Sequence, residues 1–278
     1  MSDPTPETPD LKAVVRHAVA ALEAPGAESV PTTSDLTIDE ELALHSIGWE
    51  PVELVSGVSL VSIPVGWWNW GQGEITAADE AHRHAVAHAI ARLHREAARA
   101  GGHGVVGVRI ERAVHPTHVE VALVGSAVRP VGAPARPEDE VFLSDLSGRD
   151  FTLLSMAGWE TVGLCVGASF VFAPRRSVGA VLGQQTQNVE LTNFTEAMYA
   201  ARETAMTRMQ DAALALRGTG VVGVTITEGP MSFASHAVGF VAIGTVVRPG
   251  PAGHQRVAPI TVVSLNDAVV SFDARTLE

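Results

Sequence analysis

Three side chains in the first half of the sequence have the types and spacing of a metal site. Glu80, His84 and His88 follow one another at intervals of four residues, which places them along one side of an α-helix. Imidazole nitrogens and a carboxylate oxygen are ligands suited to zinc, nickel or copper. The pattern predicts a divalent transition-metal site at these residues, with a facing helix of a neighbouring copy completing the coordination sphere.

The same helix face continues into a row of cations, which favours a second interpretation. The row consists of Arg92, Arg95 and Arg99. A face of this composition is also typical of a solvated surface, or of an interface that meets acidic residues elsewhere. We therefore expect these arginines to take part in contacts between copies if the stripe does not bind metal.

A tryptophan cluster is the second candidate for contact with a partner. Trp67, Trp68 and Trp70 lie between Gly66 and Gly71. Large aromatic side chains are costly to expose and commonly fill an interface or a pocket. The cluster predicts an interface, and the alternative is that the loop folds back over its own core.

Catalytic and cofactor motifs are missing or stand in the wrong context. The sequence has no nucleophile elbow, no His-Glu-x-x-His, no phosphate-loop lysine and no paired cysteines. Ser126 with His115 or His118 has the residue types of a catalytic dyad, but their spacing does not indicate one. The glycines of 102–107 fit the dinucleotide fingerprint, yet a predicted helix precedes them and a strand runs through them, whereas the fingerprint needs the reverse order. We expect no catalytic residues and no organic cofactor.

The glycine motif occurs twice, and so do its surroundings. Residues 102–108 recur at 218–224, an offset of 218 − 102 = 116, and Gly48-Trp49-Glu50 recurs at 158–160, an offset of 158 − 48 = 110. A third landmark, Gly125, recurs at Gly244 with an offset of 244 − 125 = 119. A repeat of about a hundred residues is a normal domain size, and the chain is predicted to be a tandem duplication. In the second copy Glu196, Ala200 and Thr204 replace the metal stripe, which weakens that hypothesis for the fold as a whole.

Each copy predicts the order helix, strand, helix, strand, strand. Capping-box patterns begin at Thr37 and Ser147. Two further boxes, Thr76 with Asp79 and Asn193 with Glu196, are expected to begin the long Ala-rich helices. Strand-forming runs are predicted at 52–61, 105–110 and 119–128, and again at 162–172, 221–226 and 237–247. The predicted fold class is α+β, with two tandem homologous domains, each a small β-sheet packed on a long Ala-rich helix.

The predicted domain boundaries follow from these landmarks. A mobile tail, a short amphipathic helix at 11–22 and a linker are predicted in residues 1–33. The two repeats are predicted at 34–130 and 144–249, joined by a linker at 131–143. A C-terminal hairpin with its turn at 266–267, and a tail, are predicted in 250–278. A helix as short as 11–22 is marginal alone and is expected to dock on its own domain or on a neighbouring subunit.

Charge and cysteine content narrow the partners and the compartment. The 278 residues carry 19 Lys and Arg against 31 Asp and Glu, a formal charge of −12, which argues against nucleic acid or anionic lipid as a main partner. The single cysteine, Cys165, allows no internal disulfide, is expected to be buried, and favours a reducing, cytoplasmic location. We find no secretion signal and no apolar run long enough to span a membrane.

The repeated motifs resemble those of the YbjQ family, small bacterial proteins described as heavy-metal-binding. The match lies at Gly102 to Val108 with Gly125 to Val128, and again at Gly218 to Val224 with Gly244 to Val247, and it covers roughly residues 48–130 and 158–249. The resemblance implies α+β domains that assemble into five-fold rings. The chain departs from the family by its duplication, and by His103 and Thr219 at a position that is aspartate in the family.

These observations together predict a non-enzymatic, self-assembling scaffold or binding protein. Its main partner is another copy of itself, in a pentamer-based ring or closed shell with room for a protein partner or cargo. The alternative is a protein that binds a divalent heavy metal through Glu80, His84 and His88.

Overall fold

The computed structural model describes residues 32–64, 73–173, 192–231, 234–251, 253, 262–263 and 269–270. The predicted helix at 11–22, the tryptophan cluster and the turn at 266–267 lie outside these residues. The described residues from Thr33 onward belong to one compact unit. In the part of the chain that is described, no helix has both the length and the apolar character needed to cross a bilayer.

The helices and strands follow the predicted order in both halves. The helices are α1 (Ile38–Ser46), α2 (Thr76–Arg99), α3 (Gly148–Met156) and α4 (Thr192–Ala215), with a short 3-10 helix at Glu138–Glu140. The strands are β1 (Trp49–Ser62), β2 (Gly73–Glu74), β3 (Gly104–Val114), β4 (His118–Pro130), β5 (Phe142–Leu143), β6 (Trp159–Phe172), β7 (Gly220–Met231), β8 (Ala234–Pro249), β9 (Val262–Val263) and β10 (Val269–Val270). The mixture of sheets and packed helices confirms the α+β class.

The two four-stranded sheets have matching connectivity in their three long strands, and each sheet takes its short fourth strand from outside its own half. The first sheet has the order β1-β4-β3-β5 and the second has β2-β6-β8-β7, while β9 and β10 form an antiparallel pair. The long strands pair antiparallel in the same register, since Trp49 lies opposite Pro130 and Trp159 opposite Pro249. Residues that precede the second half supply β5 to the first sheet, and residues of the first half supply β2 to the second sheet. The two halves are therefore interlocked at their sheet edges.

Each long helix packs on the sheet of its own half through alanine. Ala85, Ala89 and Ala97 of α2 are fully buried, as are Ala201 and Ala205 of α4. The core around α2 also includes residues of the second sheet, among them Leu164, Ala168 and Phe170. Helix α2 therefore contacts both sheets, whereas α4 packs in a separate cluster against the opposite face of the second sheet.

The helix caps agree with the sequence at α1 and α3 but not at α2. Thr37 and Glu40 form the predicted capping box, and the Ser147 hydroxyl accepts a hydrogen bond from the backbone N–H of Asp150. The predicted box of Thr76 and Asp79 is wrong: α2 has Ile75 at its N-cap, without a side-chain hydrogen bond. Asp79 turns inward instead, because the edge of β6 offers its carboxylate a backbone donor. The side chain of Asn193 lies outside the described residues.

Candidate functional site

The predicted metal stripe lies along the exposed side of α2. The Nε2 atom of His84 is 3.8 Å from Oε1 of Glu80, and the ring centroids of His84 and His88 are 6.4 Å apart. All three side chains are exposed. The stripe at Glu80, His84 and His88 remains a prediction.

The three arginines that continue the stripe differ in their surroundings. The guanidinium of Arg92 donates a hydrogen bond to the backbone carbonyl of Val58 on β1. Arg95 lies 3.9 Å from a carboxylate oxygen of Glu138, and Arg99 is exposed. Their predicted role as interface residues stays a prediction, as does that of Trp67, Trp68 and Trp70 outside the described residues.

The other two histidines of α2 turn toward the protein interior. His82 is 2% exposed and its ring lies edge-on to Phe170, with centroids 5.4 Å apart. Burial, with a smaller contribution from the Arg112 charge, lowers the pKa of His82 to about 3. Burial also lowers the pKa of His94. Since His82 is buried in the core and His94 is half-buried, neither ring contributes to the exposed stripe.

A histidine pair that the helix pattern did not predict lies at the tip of the β3–β4 hairpin. The ligand atoms of His115, His118 and Glu120 all lie within 4.8 Å of one another, the group of three possible metal ligands found among the described residues. Oε1 of Glu120 is 3.0 Å from Nε2 of His118 and 4.0 Å from Nε2 of His115. The spacing His-x-x-His-x-Glu across a Pro116-Thr117 turn is the sequence signal that could have found it, because a tight turn brings its flanking residues face to face.

A carboxyl and guanidinium cluster joins the two halves where α2 begins. Asp79 accepts hydrogen bonds from the backbone N–H of Phe170 at 2.8 Å and from Nη1 of Arg208 at 3.1 Å. Arg208, on α4, also donates to Glu74 and to the backbone carbonyl of Ala168. Burial first, and then a hydrogen bond with Glu74, raise the pKa of Asp79 to about 8. A cavity of about 470 Å³ lies beside this cluster, between α2, α4 and β6.

The face of the first sheet that points away from α2 is apolar and uncovered. On β1 it carries Leu54, Val58 and Leu60, with exposed fractions of 40%, 56% and 63%; we call these three residues the open face. Large exposed apolar patches mark sites of interaction with other molecules. The open face and its surroundings are therefore the strongest candidate interaction surface among the described residues.

Comparisons with known proteins give one matching family model and one relative that covers most of the chain. Residues 169–249 match a model of the YbjQ family, whose description is "Putative heavy-metal-binding". Over 243 residues the chain is 36% identical to the encapsulin nanocompartment protein Rv1762c of Mycobacterium tuberculosis, covering 84% of this chain and 92% of that protein. The chain belongs to the family of this encapsulin nanocompartment protein.

Proposed function

We propose that this chain is a self-assembling, non-enzymatic shell protein whose copies join head to tail. The relative from Mycobacterium tuberculosis is named an encapsulin nanocompartment protein, and a compartment must be built from repeated contacts between copies. We infer that the two halves are tandem copies of one domain. The contact between chains then repeats the contact that already joins the two halves inside each chain.

The carrying observation is that equivalent residues are exposed in the first half and buried in the second. The residues 110 positions after those of the open face are Leu164, Ala168 and Phe170. Their exposed fractions are 7%, 9% and 1%. In the second half this face packs into the core that contains α2. Since α4 is the equivalent of α2, the open face is proposed to receive α4 of a neighbouring copy. Covering an exposed leucine side chain stabilises a contact by about 1.5–3 kcal/mol.

The short helices repeat the same asymmetry. Gly148 and Thr152 of α3 are buried, and a Cβ on Gly148 would lie 3.0 Å from Cβ of Glu40, so α1 and α3 are in close contact. The equivalent positions on α1 are Ile38 and Leu42, which are 78% and 63% exposed. These two side chains are proposed to pack against α3 of the neighbouring copy.

A backbone segment supplies a third contact of the same kind. The segment Ser144–Leu146 runs along the edge of β3: the Ser144 N–H donates to the carbonyl of Val105, and the Ser144 carbonyl accepts from the N–H of Val108, both at 2.9 Å. In the part of the chain that is described, the equivalent edge of β7 has no strand beyond it. The equivalent segment is 34–36, and it is proposed to pair with β7 of the neighbouring copy. Edge strands with unpaired backbone groups are ready to accept such a partner.

Arg92 would extend the contact with charge. Arg92 is 116 residues before Arg208, and both guanidiniums donate to the equivalent carbonyl, of Val58 and of Ala168 respectively. Arg208 also pairs with Glu74 and Asp79 of the other half. Arg92 is therefore proposed to reach the N-terminal turn of α4 in a neighbouring copy, in agreement with its predicted role as an interface residue.

A head-to-tail contact uses different surfaces on its two sides, so it produces a closed ring or an open filament. The resemblance to ring-forming domains favours closure, and we propose five-chain rings that associate into a shell with room for a cargo. Metal binding at the α2 stripe is the weaker alternative, because the second half lacks the equivalent ligands.

Replacing Leu60 with aspartate tests the assembly. The side chain is exposed within the chain, so Leu60→Asp is expected to fold normally but to place a charge in the proposed contact, which abolishes the large particle. Light scattering is expected to give a multiple of five 29.1 kDa chains for the wild type and a much smaller species for the variant.

Val131→Asp is the matched control, because Val131 is 59% exposed and lies outside the three proposed contacts. This variant should assemble as the wild type does, and circular dichroism should show unchanged helix and strand content in both variants. Wild-type-sized particles formed by Leu60→Asp would contradict the head-to-tail contact.

A further inference from the structure

The geometry points to a zinc-type metal site at the tip of the β3–β4 hairpin, formed by His115, His118 and Glu120. We propose that these three side chains bind one divalent first-row transition ion, with water at the open fourth position. The site is separate from the α2 stripe, and it lies on the same face of the first sheet as the open face, because Glu120 is opposite Leu60.

The hairpin places the three ligands on one side of the sheet. Ala113 lies opposite Glu120 and Val114 opposite Val119, so the next opposed pair is His115 and His118. Successive residues of a strand alternate between faces, and His115, His118 and Glu120 therefore share one face. Val119 and Val121 point to the other face, where they are fully buried in the core.

The backbone of the hairpin tip is held on both sides, so the ligands are organised before a metal arrives. The N–H of His115 donates to the carbonyl of His118 at 2.8 Å, and the N–H of Ile63 donates to the carbonyl of Thr117 at 2.7 Å. Pro116 fixes one backbone angle in the turn. Preorganised ligands lose little conformational entropy when they bind.

The distances are close to those of a tetrahedral ion. Zinc-to-nitrogen and zinc-to-oxygen bonds of about 2.0–2.1 Å place neighbouring ligand atoms about 3.3 Å apart. The observed distances from Oε1 of Glu120 are 3.0 Å to His118 and 4.0 Å to His115. The two imidazoles are stacked with ring centroids 4.4 Å apart. The stacked rings must rotate so that one nitrogen of each points to a common position, because ligands of a tetrahedral ion converge on it.

A neighbouring hydroxyl fixes the orientation of one imidazole. Oγ1 of Thr117 is 3.0 Å from Nδ1 of His118, and Nε2 of the same ring faces Glu120. Metal-binding histidines commonly use their second nitrogen in such a hydrogen bond. The side chains of His118 and His115 are 29% and 43% exposed, which leaves an entry path and space for the bound water.

Two histidines, one carboxylate and an open position are the ligand set of zinc sites that keep one exchangeable ligand. Since imidazole is a stronger ligand than water for such ions, and Glu120 neutralises one of the two positive charges, zinc is favoured over magnesium or calcium, which require oxygen ligands.

Zinc binding to the full-length protein tests the site. Isothermal titration calorimetry with Zn²⁺ alone is expected to give one bound ion per chain for the wild type. His118→Ala should weaken the affinity by more than 100-fold, since even loss of a partner beyond the ligands costs about 10–100-fold. For Thr117→Val, the expected loss of zinc affinity is smaller, about 10–100-fold.

His88→Ala is the matched control, because it removes an exposed imidazole of the α2 stripe and should leave zinc binding unchanged. Circular dichroism verifies that each variant is folded, and particle mass verifies that it is assembled as the wild type is. The proposal is overturned if the wild type binds no zinc, if His118→Ala keeps the wild-type affinity, or if His88→Ala loses it.

Discussion

At the scale of the residue, Asp79 shows how one carboxyl joins the two halves of the chain. Its partners come from β6, α4 and the strand before α2. The hydrogen bond with Asp79 is the main cause that lowers the pKa of Glu74, while burial raises the pKa of Asp79 to about 8. Glu74 therefore carries the negative charge opposite Arg208, and Asp79 remains protonated at neutral pH.

This arrangement predicts a specific pH dependence of stability. A carboxyl whose folded pKa is raised stabilises the fold fully below the unfolded pKa of 3.8, and that stabilisation is lost as the pH rises toward about 8. Each pKa unit corresponds to about 1.4 kcal/mol. Asp79→Asn keeps an oxygen that accepts from the Phe170 N–H and loses the oxygen that accepts from Arg208. Because it cannot ionise, it should flatten the decline in denaturant midpoint between pH 5 and pH 8.

Asp139→Asn supplies the control for this measurement, because Asp139 is exposed on the 3-10 helix. Its pH profile should follow that of the wild type. An Asp79→Asn profile as steep as the wild-type profile would show that Asp79 is ionised in the folded chain.

At the scale of the element, the alanine-rich helices and two glycines determine how closely helix and sheet approach. A Cβ added to Gly57 would overlap the backbone carbonyl of Ala89, and one added to Gly167 would overlap that of Ala205. The helix backbone thus lies directly on the strand in both halves. Small residues on both surfaces are required, because protein interiors have no space to accommodate an extra methyl group.

Gly57→Ala is expected to destabilise the chain by at least about 1–3 kcal/mol, the usual cost of overpacking, since the obstacle is backbone and cannot rotate away. Thermal unfolding followed by circular dichroism measures the effect. Gly229→Ala is the matched control on β7, where an added Cβ meets nothing within 4 Å. Equal midpoints for the two variants would refute the close packing of α2 on β1.

At the scale of the whole molecule, one contact is used twice: once inside the chain and once, we propose, between chains. Each surface that the second half buries against the first has an exposed equivalent in the first half. In the proposed arrangement, a chain of two like halves presents one unfilled receiving surface and one unfilled inserting surface. The proposed assembly then needs no new type of interaction.

The particle is expected to keep its mass when metal is removed. The proposed contacts are apolar side chains and backbone hydrogen bonds, whereas the hairpin site draws all three ligands from a single chain. Light scattering before and after treatment with a chelator is the measurement. Dissociation on chelation would mean that metal joins the copies, and the head-to-tail contact would then be insufficient.

The sequence by itself determined the features that depend on local pattern. The capping box at Thr37, the strand-forming runs, the long alanine-rich helices and the repeated glycine motifs are all readable because they involve residues close in the chain or repeated at a fixed offset. The α+β class follows from these features, whereas the prediction of a self-assembling protein rests on the resemblance of the repeated motifs to the YbjQ family.

Only the tertiary structure decided which distant residues meet. The pattern at Asp79 is compatible with a helix cap, but its carboxylate accepts from the backbone N–H of Phe170 on β6, just beyond the residues that pair with β2. The register of the β3–β4 hairpin brought His115 beside Glu120, and the packing of α2 on both sheets left Leu60 exposed while it buried Phe170. Local sequence preferences are the same in both halves, and only the packing of residues far apart in the chain could distinguish the buried surface from the open one.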